Sequence, residues 1–225
     1  FYIRLAQRII HLLSTRTMSG RLYEVDSRLR PNGNSGLLVM DMDGFRSYQL
    51  EDAWTWEHQA LVRARVVFGG EKARSEFESI RGEILSQQRD PEELCRDVCE
   101  MREKMRDSLG KCNKGEVHLK QMRGGMVDIE FMVQYLVLRW AAQYPSLTKW
   151  TDNIRLLEQL AVEGLMTERE TEKLMDSYRD YRRRAYHLSL QNSKAIVSDD
   201  EFIKERGQVS VIWGHVMESA GNKSR

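Results

Sequence analysis

Apolar residues recur at helical spacing through most of this sequence, and this period restricts the possible folds more than any other feature. Only three prolines interrupt it. The clearest apolar stripe follows a helix start at Asp90 and Pro91 and consists of Leu94, Val98, Met101, Met105 and Leu109. An aspartate at the N-cap and a proline in the first turn favour a helix start. Gly110 ends the stripe. The sequence therefore predicts a helix over residues 91–109.

Two capping boxes predict the starts of two further helices. Thr167 and Glu170 open one of them. Ser198 and Glu201 open the last helix of the chain, which is predicted to end near Gly221.

A double glycine, Gly124-Gly125, precedes the most apolar helical stretch, which runs to about residue 144. Because this helix is apolar nearly all round, we expect it to lie at the centre of its domain. Asp128 and Glu130 in its first turn are costly to bury unless they are paired or lie near the mouth of a cleft. Two interpretations stay open, because the helix dipole favours acids here and both side chains are also candidate cleft acids. The double glycine could cradle an anion, but two glycines alone are weak support.

Residues 21–40 depart from the helical period. Apolar and charged residues alternate over 22–30, which is typical of a strand with one packed face. A dense turn signal follows at 31–36, and a short apolar run covers 37–40. The sequence predicts a β-hairpin here, so the expected fold class is mainly α with a small β-hairpin (α+β).

The predicted strand carries four charged side chains on one face: Glu24, Asp26, Arg28 and Arg30. Carboxylates followed by guanidiniums can bind a metal ion at one end and phosphate oxygens at the other. The alternative is a solvated strand face with ion pairs to the neighbouring strand, which the pattern alone slightly favours. One strand cannot complete a Mg²⁺ site, so partner acids would have to come from elsewhere.

A helical stretch follows between residues 54 and 68. Three large apolar residues recur every seven positions and are predicted to lie in the core: Trp54, Leu61 and Phe68. Another face carries Trp56, Gln59, Ala60 and Arg63. Arg63 could clamp a phosphate in a cleft, but the favoured interpretation is that it extends its charge to solvent or pairs with an acid such as Glu57.

Composition narrows the class of protein. Lys plus Arg number 35 and Asp plus Glu 34, and a net charge of +1 gives no reason to expect nucleic acid or an anionic membrane surface as a partner. An RNA contact by the arginine-rich segment 179–184 ranks last for the same reason. No apolar run approaches the roughly 20 residues of a membrane-spanning helix.

The sequence contains three cysteines, of which Cys95 and Cys99 lie one helical turn apart. None of them makes a recognised zinc spacing with a histidine. We therefore predict buried thiols in a reducing cytoplasm.

The least regular part of the sequence, residues 110–125, combines glycines with basic residues. We place a domain boundary there, with one unit at 1–110 and a helical bundle domain at 111–225. Lys120, within this linker, is a candidate phosphate contact together with Arg28, Arg30 and Arg63.

Several long motifs in this sequence are similar to those of a known protein family. They are Phe1-Tyr2-x-Arg4-Leu5-Ala6-Gln7-Arg8, Ser14-Thr15-Arg16-Thr17, Tyr23-Glu24-Val25-Asp26-x-Arg28-Leu29-Arg30-Pro31, Trp54-x-Trp56-Glu57-His58-Gln59-Ala60-Leu61-x-Arg63-Ala64-Arg65 and Gly124-Gly125-x-x-Asp128-Ile129-Glu130-Phe131. Together they resemble bacterial glutamine synthetase adenylyltransferases, and in particular the C-terminal, adenylylating half. The similarity runs from Phe1 through at least Leu160.

The resemblance implies an enzyme that transfers AMP from ATP to a tyrosine of glutamine synthetase. Members of the family carry two nucleotidyltransferase domains of opposing activity, which a PII-type signal protein and glutamine regulate. Their catalytic domains hold Mg²⁺ between three carboxylates, two of which come from a Gly-Ser-Asp-x-Asp element. Asp26 matches the third carboxylate, so the resemblance assigns it a catalytic and metal-binding role. It also makes Arg28 and Arg30 plausible phosphate contacts.

This sequence departs from the family in one respect, since it contains no Gly-Ser-Asp-x-Asp element. We therefore expect residues 1–110 to be the C-terminal portion of a nucleotidyltransferase domain. Mg²⁺ and ATP would serve the complete enzyme, whereas this chain alone is expected to hold neither firmly and to be inactive. Expected partners are glutamine synthetase, a PII-type signal protein and the sister domain of the same polypeptide, in the bacterial cytoplasm.

A second hypothesis belongs to another class of function. The bundle at 111–225 has charged outer faces and could act mainly as an interaction and signal-relay module. It would then dock glutamine synthetase or a PII-type regulatory protein.

Overall fold

Helices dominate the computed structural model, which describes residues 1–18, 20–21 and 25–218. Within that part of the chain the α-helices are α1 (Tyr2–Ser14), α2 (Met42–Glu51), α3 (Thr55–Val62), α4 (Glu71–Leu85), α5 (Pro91–Leu109), α6 (Met126–Trp140), α7 (Asn153–Val162), α8 (Glu168–Leu190) and α9 (Ile203–Glu218). Short 3₁₀ turns lie at Gly33–Ser35 and Pro145–Thr148. None of the described helices has the length and apolar character needed to cross a bilayer.

The strands are short and form two antiparallel pairs. Strand β1 (Arg16–Thr17) pairs with β2 (Gly20–Arg21), and β3 (Glu116–His118) pairs with β4 (Ile196–Ser198). The predicted class, mainly α with a small β-hairpin, is confirmed.

The predicted position of the hairpin is wrong over its described part. Residues 25–40 contain no strand, and residues 22–24 lie outside the described residues. The Arg30 guanidinium donates to the carbonyl oxygens of Ser27, at 2.5 Å, and Gly36, at 3.4 Å. These side-chain bonds satisfy carbonyls that a neighbouring strand would otherwise have taken, so the alternating sequence folds into a loop.

Helix α6 lies at the centre of the protein, as its apolar sequence predicts. Twelve of its residues are buried. Helices α3, α5, α7, α8 and α9 all pack against it. The hydrophobic core therefore joins Val62 and Leu94 to residues far beyond position 110, such as Leu136 and Tyr181. The division of the chain at residue 110 stays a prediction, because a shared core does not by itself define a domain.

Helix α3 is too short to place Trp54, Leu61 and Phe68 on one helical face. Leu61 is buried, but Trp54 is 70% exposed and Phe68 is 95% exposed, so two of the three predicted core residues are wrong. The helix ends at Val62, so Phe68 no longer shares a face with Leu61. Trp54 precedes the helix as its N-cap residue.

Two of the three predicted capping signals mark the start of a helix. The Asp90 carboxylate accepts from the backbone N–H groups of Glu92 and Glu93, and Thr167 forms the predicted capping box. The box at Ser198 is wrong, because α9 begins only at Ile203. The Glu201 carboxylate instead binds Arg184 in a fork, with two contacts of 3.0 Å. The predicted end near Gly221 lies outside the described residues.

A buried ionic network fixes the start of α6 to α5. Asp128 accepts from Arg102 Nε at 2.5 Å, from Arg106 Nη2 at 3.0 Å and from the Gly124 N–H at 2.7 Å. Arg102 has no exposed surface and also donates to Gln121. Both carboxylate oxygens of Asp128 thus accept hydrogen bonds, which offsets the free-energy cost of burying this charge. Its contacts are structural, and a role for Asp128 in chemistry stays a prediction.

Removing this carboxylate should leave the fully buried Arg102 guanidinium without its counter-charge. We expect Asp128→Ala to lower the free energy of unfolding by about 3–5 kcal/mol, measured by urea denaturation. The matched control is Asp176→Ala, which removes an exposed carboxylate that pairs with Arg179 at 3.1 Å on α8. The control should change stability by less than about 1 kcal/mol. Equal effects of the two substitutions would contradict the importance of the network.

Candidate functional site

The predicted catalytic residue Asp26 lies on the surface in a tight ion pair. Its two carboxylate oxygens accept from Arg28 Nε at 2.9 and 3.1 Å and from Arg28 Nη2 at 2.6 Å, and the Arg28 backbone N–H adds a contact of 3.0 Å. About half of the Asp26 side-chain surface is exposed. Hydrogen bonds from Arg28 lower the pKa of Asp26 to about 2. The arrangement keeps the carboxylate ionised and available to a cation in solvent.

The residues after Asp26 form a loop that can take only a narrow set of conformations. Arg30 ties its ends together through the carbonyls of Ser27 and Gly36. A Cβ atom at Gly36 would overlap the carbonyl oxygen of Pro31, so the chain can close here only with glycine. Asn32 has a φ of 59°, in the left-handed region that asparagine tolerates.

A buried hydrogen-bond network docks this loop on the helices. The Asn32 N–H donates to Tyr48 Oη at 2.9 Å. Tyr48 in turn donates its hydroxyl proton to the Glu57 carboxylate, at 2.9 and 3.0 Å from its two oxygens. Glu57 also accepts from the Trp54 N–H and so caps α3. The loop that carries Asp26 is therefore held against α2 and α3.

Behind the loop lies a cleft of about 530 Å³ between α2, α3, α5 and α6. Most of its lining is apolar, and it includes Phe45, Trp56, Leu61, Met101, Met105 and Phe131. Arg30, Arg63 and Glu130, three of the predicted site residues, reach the same cleft. The helix face predicted to carry Trp56, Gln59, Ala60 and Arg63 lines it in full.

One polar cluster crosses the cleft from α3 to α6 and α8. Arg63 Nη1 donates to Glu130 Oε1 at 2.8 Å, and Tyr178 Oη donates to the same oxygen at 2.9 Å. Burial and the nearby Glu130 raise the pKa of Tyr178 to about 12. Arg63 thus pairs with an acid, but this acid is Glu130 and not the suggested Glu57, which accepts from the Tyr48 hydroxyl and the Trp54 N–H. Deeper in the same region, Gln59 Nε2 donates to Gln134 Oε1 at 3.0 Å.

The remaining predicted residues lie apart from this cleft. Lys120 is exposed beyond β3, and Asp128 is buried in the network with Arg102. Glu24 lies outside the described residues. The Gly124 N–H, a possible anion donor, already binds the Asp128 carboxylate. The roles assigned to these residues, and to Asp26, Arg28, Arg30, Arg63 and Glu130, stay predictions.

Sequence reasoning missed the residues that position the loop and complete the polar cluster. Tyr48 and Tyr178 occupy helical core positions, and no local pattern shows that their hydroxyls meet Glu57 and Glu130. Glu57 did carry a signal, because it stands three residues after Trp54 where a capping box places an acid.

The described residues do not by themselves form a complete Mg²⁺ site. Mg²⁺ usually takes more than one carboxylate together with substrate oxygens and water. Within the described part of the chain, no group of three or more His, Cys, Asp or Glu side chains is arranged to hold a metal ion. Asp26 could supply one ligand, and it would then share its oxygens with Arg28.

Comparison with known proteins places the chain in an enzyme class. Residues 1–80 match the family model of glutamate-ammonia ligase adenylyltransferase, and residues 96–209 match the model of GlnD PII-uridylyltransferase. Both models describe enzymes named for nucleotidyl transfer. The chain is thus similar to enzymes of the nucleotidyltransferase class along two separate stretches.

Two curated relatives are similar to the chain over nearly its whole length. The chain is 52% identical over 221 residues to the bifunctional glutamine synthetase adenylyltransferase/adenylyl-removing enzyme of Hahella chejuensis and 51% identical over 213 residues to that of Vibrio parahaemolyticus. These matches confirm the resemblance that the motifs indicate, to the glutamine synthetase adenylyltransferase/adenylyl-removing enzymes. The alignments cover 96% and 95% of the chain but 23% and 22% of the relatives, so the chain spans about a quarter of their length.

The state of the Asp26 carboxylate should depend on its arginine partner. We expect an NMR pH titration to give Asp26 a pKa of about 2, and Arg28→Gln to return it towards the ordinary value of 3.8. Because the pKa is lowered, the ion pair is complete above about pH 4 and is lost as the pH falls through about 2.

The matched control is Arg46→Gln, which removes a similar exposed arginine that binds Glu83. It should leave the titration of Asp26 unchanged. An unchanged midpoint in Arg28→Gln would show that the fork does not exist in solution.

Proposed function

We propose that the polypeptide to which this chain belongs transfers AMP from ATP to a tyrosine of glutamine synthetase and releases pyrophosphate. The observation that carries the proposal is identity of 52% and 51%, over nearly the whole chain, to two enzymes named for this modification. The match of residues 1–80 to an adenylyltransferase model supports the same activity. Within the complete enzyme, we assign this chain to the adenylylating half.

Asp26 is the residue proposed to take part in the chemistry. Its carboxylate is ionised at neutral pH, exposed, and held on a loop that Tyr48 and Gly36 restrain. It would supply one of the carboxylates for Mg²⁺, and other acids of the complete enzyme would supply the rest. When bound, Mg²⁺ neutralises charge on the transferring phosphates.

The arginines near Asp26 are proposed to contact the nucleotide phosphates. Arg28 has a mostly exposed side chain next to the carboxylate, and a phosphate oxygen can compete for its guanidinium. Arg63 lies at the cleft with 40% of its side chain exposed, and Glu130 keeps it in place at 2.8 Å. Arg30 is tied to carbonyls of its own loop, so we propose that it acts first by shaping the loop.

Loss of the Asp26 carboxylate should reduce AMP transfer without unfolding the protein. In the full-length enzyme we expect Asp26→Asn to lower the rate of AMP incorporation into glutamine synthetase by roughly a hundredfold or more, measured with radiolabelled ATP. The amide keeps the size of the side chain but removes its charge. Asp176→Asn, at an exposed site on α8, is the matched control and should retain the full rate.

The same assay tests whether this chain suffices for catalysis. We expect the 225-residue chain alone to incorporate no AMP, because it offers one acid of the set that Mg²⁺ needs. Robust incorporation by the chain alone would contradict this part of the proposal, and full activity of Asp26→Asn would contradict the role of Asp26.

A second function is favoured by one specific observation. Residues 96–209 match the model of an enzyme named for modifying PII. We propose that this helical part also docks regulatory or substrate proteins, with a PII-type signal protein, glutamine synthetase and the sister domain as candidate partners. The outer face of α8 offers exposed charge for this, since Arg183 is 70% exposed and pairs with Asp180 of its own helix.

Docking can be tested on the intact chain by surface plasmon resonance. We expect immobilised chain to bind a PII-type protein or glutamine synthetase, and the charge reversal Arg183→Glu to weaken that binding by about tenfold, as an interfacial charge does. Lys104→Glu on α5, at a similarly exposed intrahelical pair, is the control and should change nothing. Absence of binding to both proteins, or an equal loss in the control, would leave the bundle as a support for catalysis.

A further inference from the structure

Sulfur-containing side chains of α5 and α9 lie close together at the hydrophobic core. Cys95 and Cys99 lie one helical turn apart on α5, and both thiols are free and half-buried. Met217, near the end of α9, is buried. Its thioether Sδ lies 4.0 Å from Cys95 Sγ, and the Cys95 thiol also donates to the Met217 carbonyl oxygen at 3.3 Å.

The spacing of these atoms fits a single metal ion. Metal–thiolate bonds are about 2.3 Å long, so two sulfurs on one three-coordinate ion lie about 4 Å apart. The Cys95 and Met217 sulfurs already have this separation. Cys99 lies four residues from Cys95 on α5, so its thiol is on the same face of the helix and can reach the same point.

The chemistry of the donors selects a soft ion. Thiolate and thioether ligands favour Cu(I), whereas Mg²⁺ and Ca²⁺ require oxygen ligands. Zn²⁺ prefers four ligands from Cys, His, Asp or Glu, and among the described residues no group of three such side chains is placed to hold a metal. Arg139 is close enough to act on the Cys95 thiolate, so its positive charge offsets part of the negative charge of two thiolates.

We propose that Cys95, Cys99 and Met217 form a binding site for one soft monovalent cation of the Cu(I) type. Binding forms two metal–thiolate bonds and one metal–thioether bond, and it releases the two thiol protons to solvent without any change of oxidation state. The bound ion would join α5 to α9 across the bundle. The site is separate from the cleft, and its existence does not depend on the proposed enzymatic activity.

Burial keeps both thiols protonated but does not prevent them from binding such an ion. It raises the pKa of Cys95, and it raises the pKa of Cys99 to about 12. Both groups are therefore protonated at neutral pH and are poor nucleophiles. A soft ion can displace these protons because its bonds to sulfur are strong, and the affinity should accordingly rise with pH.

The test is an anaerobic titration of the reduced 225-residue chain with Cu(I), in competition with a chromophoric Cu(I) chelator. We expect the chain to bind one Cu(I). Cys95→Ser and Cys99→Ser should each abolish this binding. Met217→Leu keeps the volume of the side chain but removes the thioether, so it should weaken binding while circular dichroism shows the same helix content.

Cys112→Ser is the matched control, because Cys112 is the third free thiol and lies outside the sulfur cluster. It should retain the affinity of the unmodified chain. Phenylarsine oxide provides a second measurement, because one arsenic forms bonds to two neighbouring thiols with loss of one water. Mass spectrometry should show one adduct on the unmodified chain and on Cys112→Ser, and none that bridges two thiols in Cys99→Ser. Failure of the unmodified chain to bind Cu(I), or retention of full affinity in Cys99→Ser, would overturn the proposal.

Discussion

A helix that is apolar on all sides is stable in water only when other elements cover it completely, and α6 imposes this constraint on the whole chain. Helices α3, α5, α7, α8 and α9 meet the requirement by packing around it. Its first turn is the exception, because Asp128 enters the core as a charge. Arg102 and Arg106 neutralise that charge, and they connect the start of α6 to α5.

The same packing creates the cleft. Helices α3 and α5 lie against one side of α6, and the loop after Asp26 closes over the space between them. The loop reaches this position because Tyr48 holds the Asn32 backbone and Glu57 holds Tyr48. A chain of contacts thus leads from the buried helix through α2 and α3 to the carboxylate that the family resemblance singles out.

Several elements follow directly from local sequence. Helix α5 begins at its predicted cap and proline and ends before Gly110, since both ends depend on residues within one helical turn. The predicted hairpin fails over residues 25–40 for the opposite reason, because Arg30 supplies from a side chain the bonds that a strand would have needed. Glu201 fails similarly, since Arg184 takes its carboxylate and no capping box forms. The prediction of Asp26 came from a family motif, and its geometry with Arg28 could not be read from that motif.

The sequence alone determined the helical class, the central position of α6 and the family, because apolar periodicity and long motifs are properties of neighbouring residues. Tertiary structure decided which charges meet. Arg63 binds Glu130, 67 residues away, and Tyr178 joins them from α8. Cys95 and Met217 come together across 122 residues. Contacts at such separations depend on how whole helices pack, and helix packing is set by the shape of the shared core rather than by any local pattern.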